Sequence, residues 1–212
     1  MNGITPPVFF NVDLLHPARR LWKRQLPDCS QSTVEVSILG LDRAGDISGA
    51  LAPEIWFSFL RGGENREALI KALLLVCEHN VRDILGLASI FLTLGEIAAR
   101  PLESHRFSFD EEALALSYKM ALRKNPQFFD EKEKETGKRL LENAARNGHP
   151  RAAFVLLRSL AIDAEWRLKD PSLALRYTES ALTLTDISGS IRDELEKRRK
   201  RLATKLIKER KL

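Results

Sequence analysis

Apolar residues recur with a helical period along most of the chain, so the hydrophobic pattern predicts a mainly α protein. In the first half, the predicted helices cover 17–26, 30–38, 53–61, 66–78 and 81–99. Segment 8–14, rich in aromatic and β-branched residues, predicts a short strand, and 41–51 predicts a glycine-containing loop. Because 84–95 carries no charge and is apolar on every side, we expect a central buried helix there.

The second half predicts antiparallel helical hairpins. Its expected helices cover 110–124, 130–147, 151–168 and 172–184. Two stretches resemble each other, Leu114-Ala-Leu-Ser-Tyr118 and Leu173-Ala-Leu-Arg-Tyr177. Together with Ala121 and Pro126, Tyr118 resembles positions of a tetratricopeptide repeat, although an ordinary helical bundle with alanine contacts explains the same residues. We place the domain limits at 1–104 and 105–212.

Composition excludes several classes of protein. The chain has 212 residues, 44% of them hydrophobic, which suffices for one good core or two small ones. Cys29 and Cys77 form no spaced metal cluster, and no signal peptide opens the sequence, so we expect a reducing cytoplasm. The longest uncharged run, 84–95, is too short to cross a bilayer, so no membrane partner is expected.

The net charge of +5 is concentrated in the C-terminal tail. Residues 192–212 include ten basic and four acidic side chains. Such a helix could follow the phosphates of a nucleic acid. An alternative is a solvated helix with acids near its start and bases near its end. The candidate nucleic-acid-binding residues are Lys197, Arg198, Arg199, Lys200 and Arg201.

The segment from Glu78 to Asp83 places ionisable groups beside an apolar run. If one helix continues through it, His79 and Asp83 lie four residues apart and share a face. A carboxylate there can bind a metal, and the imidazole can handle a proton or orient a water. The alternative is a helix junction in which Asn80 caps, Asp83 favours the positive end of the next helix, and His79 packs.

Several segments, read in order, carry a family resemblance. They are Val12 to Lys23 (VDLLHPARRLWK), Leu26 to Ser30, Ile38 to Gly40, Pro53 to Phe57 and Glu78 to Asp83. Over about residues 8–96 the chain resembles the second half of the YprB-type ribonuclease H-like domain, a branch of the DEDD exonuclease superfamily. The resemblance implies metal-dependent, 3′-to-5′-type hydrolysis of nucleic acid by two ions that four carboxylates hold. It makes Asp83 the metal ligand of the last motif, and it places His79 where many relatives carry a tyrosine.

The same resemblance implies what is missing. Nothing like the family's Asp-x-Glu precedes Phe9, and only residues 1–7 stand where its second motif would lie. Asp13 belongs to the Asp-Leu-Leu element and is not read as a ligand. One carboxylate cannot hold two cations. We therefore expect a truncated protein: the helical remainder of an α/β domain, with at most one or two short strands, followed by tetratricopeptide-like hairpins.

Alone, such a chain should be inactive. Mg²⁺ or Mn²⁺ would bind only if an upstream polypeptide supplied the first half of the domain. Two further functions stay open, a non-catalytic helical module that binds a protein partner and a basic accessory protein that binds nucleic acid.

Overall fold

The structure is a computed structural model that describes residues 11–62, 65–104, 106–185 and 188–209. The chain divides into two compact units, Met1–Phe109 (unit 1) and Asp110–Leu212 (unit 2). All regular secondary structure within the described ranges is helical, which confirms the mainly α prediction. The strand predicted at 8–14 falls partly outside the described residues, and its described part, 11–14, is not a strand.

Unit 1 is built around one long helix. Its elements are α1 Leu15–Trp22, α2 Gln31–Leu39, a short 3-10 helix Gly49–Leu51, α3 Ala52–Leu60 and α4 Arg66–Ala99. Ser30 caps α2 as predicted, because its side chain accepts a hydrogen bond from the Thr33 amide. Both α2 and α3 pack against α4. The indole of Trp22 is fully buried and donates to the Ser108 carbonyl at 2.9 Å.

The predicted break between residues 78 and 81 is wrong, because α4 runs without interruption for 34 residues. Asn80 lies inside this helix and caps nothing. No glycine or proline interrupts residues 66–85, so no residue there stops helical hydrogen bonding. The helix-junction interpretation is therefore excluded, and His79 and Asp83 share a face of α4.

The expectation that 84–95 is buried on all sides is also wrong. One face of α4 is buried, at Gly86, Ile90, Thr93 and Ile97. On the opposite face Leu85 and Leu92 are 61% and 69% exposed. A helix that is apolar on every side is fully buried only if other elements pack on every side. Among the described residues, α2 and α3 cover one side of α4. None of the described helices combines the length and apolar character needed to cross a bilayer.

Unit 2 is a series of helices in which each packs on the next. They are α5 Glu111–Lys124, α6 Glu131–Arg146, α7 Pro150–Trp166, α8 Pro171–Leu182 and α9 Gly189–Glu209. Aspartates begin three of them, since Asp110, Asp130 and Asp170 each accept a hydrogen bond from an amide of the first turn. The connections between these helices are short, as the pattern predicted, and consecutive helices joined in this way are normally antiparallel.

Small residues bring the helices of unit 2 close together. Ala115, Ala152, Ala174 and Ala181 are fully buried. A methyl group added at Gly137 of α6 would lie 2.6 Å from a side-chain carbon on α5, so the two helices cross tightly there. This packing agrees with alanine contacts either in a tetratricopeptide-like repeat or in a helical bundle, so the repeat stays a prediction. The domain limits at 104 and 105 also stay a prediction.

Candidate functional site

The centre of the site is the guanidinium group of Arg43, in the loop that follows α2. Its Nε and Nη2 atoms both lie 2.5 Å from Oε2 of Glu35. Its Nη1 is 2.8 Å from Oδ2 of Asp46, and its Nη2 is 2.8 Å from Oδ1 of Asp83. One arginine from a loop therefore joins carboxylates from α2, from the loop itself and from α4. We call Glu35, Arg43, Asp46, His79 and Asp83 the Arg43 network.

Glu35 is the most deeply buried member, with 1% of its surface exposed. The Gln31 amide donates both to Oε1 of Glu35 and to the backbone carbonyl of Asp83, each at 2.7 Å. The carboxylate lies against α4 at Gly86, where a Cβ atom would be 1.5 Å from Oε1 of Glu35. Gly86 thus lets α2 bring a buried charge directly onto the backbone of α4.

His79 lies between two of the carboxylates. Its Nδ1 is 3.0 Å from Oδ1 of Asp46, and its Nε2 is 3.4 Å from Oδ2 of Asp83. The second distance follows from the unbroken helix, which brings residues four apart onto one face. The ring is 15% exposed, and Gly49 lies so near it that a Cβ atom there would be 3.0 Å from Nε2. The imidazole is therefore held in a fixed orientation and is mostly shielded from solvent.

The ionisation of the network follows from these contacts. Burial alone would raise the pKa of Asp46, but hydrogen bonds from Arg43 and from His79 hold it below its ordinary value. Burial alone would lower the pKa of Arg43, but the carboxylates of Asp46, Asp83 and Glu35 raise it above its ordinary range. Arg43 and Asp46 thus form an ion pair at the centre of the network.

This donor set does not fit the metal centre that the resemblance implies. A pair of ions about 3.5 to 4 Å apart needs several free carboxylates, and Mg²⁺ requires near-octahedral oxygen coordination. Here one oxygen of Asp83 accepts from Arg43 and the other faces His79. Nowhere in the described ranges do three His, Cys, Asp or Glu side chains come together in a way that could hold a metal ion. The guanidinium occupies the place between the carboxylates that a cation would need. The assignments of Asp83 as a ligand and of His79 as a catalytic group stay predictions.

The five basic residues predicted to bind nucleic acid all lie on α9, and three of them have acidic neighbours. Nη2 of Arg201 is 2.6 Å from Oε1 of Glu165. Arg198 is 14% exposed, with Nη1 3.6 Å from Oε2 of Glu165, and Arg199 pairs with Glu196 at 2.7 Å. Lys197 and Lys200 are exposed. Their role in nucleic-acid binding stays a prediction.

Sequence reasoning missed Glu35, Arg43 and Asp46. A weak signal for Glu35 exists, because it is the one charged residue in the helix Gln31–Leu39. Arg43 and Asp46 lie in a loop, where charged residues normally need no explanation. Nothing local could pair them with residues 40 and 33 positions later in the chain.

Comparison with known proteins finds a family match within unit 1. Residues 3–94 match the family model described as the RNase_H superfamily. Over 111 residues the chain is 38% identical to "Uncharacterized protein YprB" of Bacillus subtilis (strain 168). That match covers 52% of this chain and 25% of YprB, so the chain spans about a quarter of the length of this relative. No solved structure matches the chain.

These matches indicate the class of protein that the N-terminal part of the chain resembles. Residues 3–94 are similar to the nuclease-type domain of the RNase H superfamily. More narrowly, the identity with YprB supports a YprB-type RNase H-like protein, the family whose motifs the sequence resembles.

Proposed function

We propose that unit 1 contributes the last acidic motif and the covering helices of a metal-dependent, exonuclease-like nuclease. In this proposal residues 1–212 hydrolyse no nucleic acid by themselves. Another stretch of polypeptide supplies the remaining carboxylates, and Mg²⁺ or Mn²⁺ is needed only when that stretch is bound. The cytoplasmic location that the sequence predicts belongs to the same proposal.

The observation that carries the inactivity of the chain is the Arg43 network. A carboxylate that accepts a short hydrogen bond from a guanidinium is already neutralised, and displacing that bond requires a competing cation with more ligands than Asp83 alone offers. A second arginine, Arg82, lies beside the network, with its Nη1 3.8 Å from Oδ1 of Asp46. With His79 counted as uncharged, the two arginines and the three carboxylates leave one negative charge. That charge is small for a site that must bind two divalent ions.

The uncovered face of α4 supports the need for a second stretch of polypeptide. Val81, Leu85 and Leu92 lie on one side of the helix, and each is more than half exposed. An apolar groove of about 380 Å³ lies nearby between α1, α2 and α4, lined by Leu15 and Leu87 among others. Large exposed apolar surfaces mark interfaces more often than free surface. An RNase H-like segment with such a face is suited to pack against the rest of that domain.

Complementation tests the proposal. The chain is mixed with a polypeptide that carries the family's Asp-x-Glu and Asn-Gly-x-x-Phe-Asp motifs, and cleavage of a labelled oligonucleotide is followed with Mn²⁺. We expect cleavage from the mixture, from neither component alone, and from no mixture that contains Asp83→Ala.

A charge placed on the exposed apolar face of α4 tests whether that face binds the second polypeptide, independently of the role of Asp83 in cleavage. Leu92→Glu should abolish complementation because it puts a carboxylate into the interface. Leu168→Glu is the matched control, since Leu168 is a leucine of unit 2 with 57% exposure against 69% for Leu92. Equal cleavage with both variants would show that the α4 face is not the docking surface. Unchanged cleavage with Asp83→Ala would remove Asp83 from the metal centre.

A further inference from the structure

Unit 2 contains a groove that the nuclease proposal does not use. It has a volume of about 430 Å³ and lies among α5, α7 and the start of α9. Its floor is aliphatic and aromatic, with Leu116 and Met120 from α5 and Phe154 and Val155 from α7. Met120 is 44% exposed and the other three are half-buried, so an apolar strip is open to a ligand.

Cations surround this strip. Lys119 and Arg123 stand one turn apart on α5, and Arg151 and Arg158 stand two turns apart on α7, so each pair projects from one side of its helix. Arg158 pairs with Glu194 of α9 at 2.8 Å, and Glu194 is the acidic residue of the groove lining. The other three cations have no acidic partner within the described part of the chain. The groove therefore has a clear excess of positive charge beside an apolar floor.

The walls of the groove are fixed by a buried contact between α5 and α7. Glu112 of α5 is 2% exposed, and its Oε1 accepts from the amides of Arg151 and Ala152 at 2.9 and 3.2 Å. These amides are at the first turn of α7, where donors lack partners within the helix. A carboxylate on α5 thus caps the first turn of α7, and it holds the backbone of Arg151, which lines the groove.

We propose that this groove binds a peptide segment in which acidic side chains flank one or two large apolar side chains. Charge complementarity carries the choice: the unpaired cations match carboxylates, and the floor buries an apolar side chain between them. Single-stranded nucleic acid fits less well, because its binding uses several aromatic faces for base stacking. Phe154 is the one aromatic residue among the residues that line this groove.

Pools of labelled octapeptides test the assignment with the full chain. Each pool has Leu or Phe at its central positions, and the other positions hold Asp/Glu, Asn/Gln or Lys/Arg. We expect fluorescence anisotropy to show the acidic pool bound at least about tenfold tighter than the amide pool. An acidic pool with Ser in place of Leu and Phe should also bind at least about tenfold more weakly.

Two lysines of α5 provide a matched pair of variants. Lys119→Glu reverses a charge in the groove and should weaken binding of the acidic pool at least about tenfold. Lys124→Glu makes the same change on the same helix outside the groove lining, and it should leave binding within about twofold. Met120→Ser should weaken binding through the floor, and circular dichroism checks that each variant stays folded.

Several results would overturn the proposal. They are equal affinity for the acidic and amide pools, equal effects of Lys119→Glu and Lys124→Glu on binding, or equal affinity for the acidic pools with and without Leu and Phe. If a 12-nucleotide single strand binds more tightly than the acidic pool, and Lys119→Glu abolishes its binding, the groove is assigned to nucleic acid. A concentration-dependent dimer that Lys119→Glu dissociates would assign it to a second copy of the chain. Because the groove lies in unit 2 and the RNase H match covers residues 3–94, these outcomes are independent of the complementation assay.

Discussion

Replacing Gly86 with alanine should destabilise unit 1, although alanine is the better helix former. The added Cβ would lie 1.5 Å from Oε1 and 2.5 Å from Cδ of Glu35, and 3.0 Å from the Gln31 amide nitrogen. Glu35 cannot swing aside freely, because Arg43 and Gln31 both hold its carboxylate. Relief of the clash therefore separates a buried carboxylate from its guanidinium.

The size of the effect follows from two opposing contributions. Separating a buried ion pair costs about 3 to 5 kcal/mol, because it leaves an uncompensated charge. Gly→Ala in a helix interior stabilises by about 0.8 to 1 kcal/mol. We therefore expect a net loss of about 2 to 4 kcal/mol in the free energy of unfolding of unit 1. With a urea dependence of about 2 kcal/mol per molar, the unfolding midpoint should fall by roughly 1 to 2 M.

Tryptophan fluorescence can report unit 1 separately. In a Trp166→Phe background the remaining indoles are Trp22 and Trp56, both in unit 1. Gly95→Ala is the matched control on the same helix, because a Cβ there meets nothing within 4 Å. It should stabilise the unit by a few tenths to about 1 kcal/mol.

A double-mutant cycle identifies the cause. In a Glu35→Ala background the two closest contacts of the added Cβ are gone, and the Gln31 side chain, at 3.0 Å, is released from Glu35 and needs to shift only slightly. Gly86→Ala should then become neutral or stabilising. The reasoning fails if Gly86→Ala matches Gly95→Ala in the wild-type background, or if its effect is the same with and without Glu35.

Two further predictions concern charge. The pKa of Asp46 is lower in the folded chain than in the unfolded chain, so the ionised carboxylate stabilises the fold. This stabilisation is fully present above about pH 4 and is lost as the pH falls through the pKa that Asp46 has in the folded chain. The difference in urea midpoint between the wild-type chain and Asp46→Asn should therefore shrink below about pH 4, and a constant difference from pH 3 to 7 would contradict this. In unit 2, Glu165→Gln should leave the mostly buried Arg198 without its ion partner and speed hydrogen exchange in α7 and α9, with a loss of about 2 to 3 kcal/mol. The control is Glu142→Gln, which removes a more exposed ion pair with an N–O distance of 3.9 Å and should change the free energy of unfolding by less than about 0.5 kcal/mol. An equal effect of the two substitutions would show that the Glu165 contacts do not stabilise the unit.

The sequence predicts the local features of this fold well. The helix starts at Ser30, Asp110 and Asp170 each depend on a side chain and the amide three residues later, so the information lies within one turn. The helical hairpins of unit 2 follow in the same way from short polar connections between amphipathic segments. Glycine and proline after Asn147 mark the end of α6 and the start of α7.

Long-range features could not be predicted in the same way. The apolar run of α4 indicates that the helix has packing partners on several sides. It does not indicate whether this chain supplies all of them, which is why the prediction of a fully buried helix is wrong. The pairing of His79 with Asp83 follows from helical spacing once the helix is known to be unbroken. The partners of both residues across the loop, Arg43 and Asp46, depend on a chain reversal that places distant charges together, and no periodicity encodes it.

Cleavage by the purified chain alone is the most direct test of the central claim, that Asp83 is neutralised within the Arg43 network and forms no metal centre by itself. Residues 1–212 are incubated with end-labelled single-stranded DNA and RNA in Mn²⁺, with EDTA as the control. We predict no products above the EDTA control for either substrate. EDTA-sensitive degradation that disappears in Asp83→Ala would contradict the account.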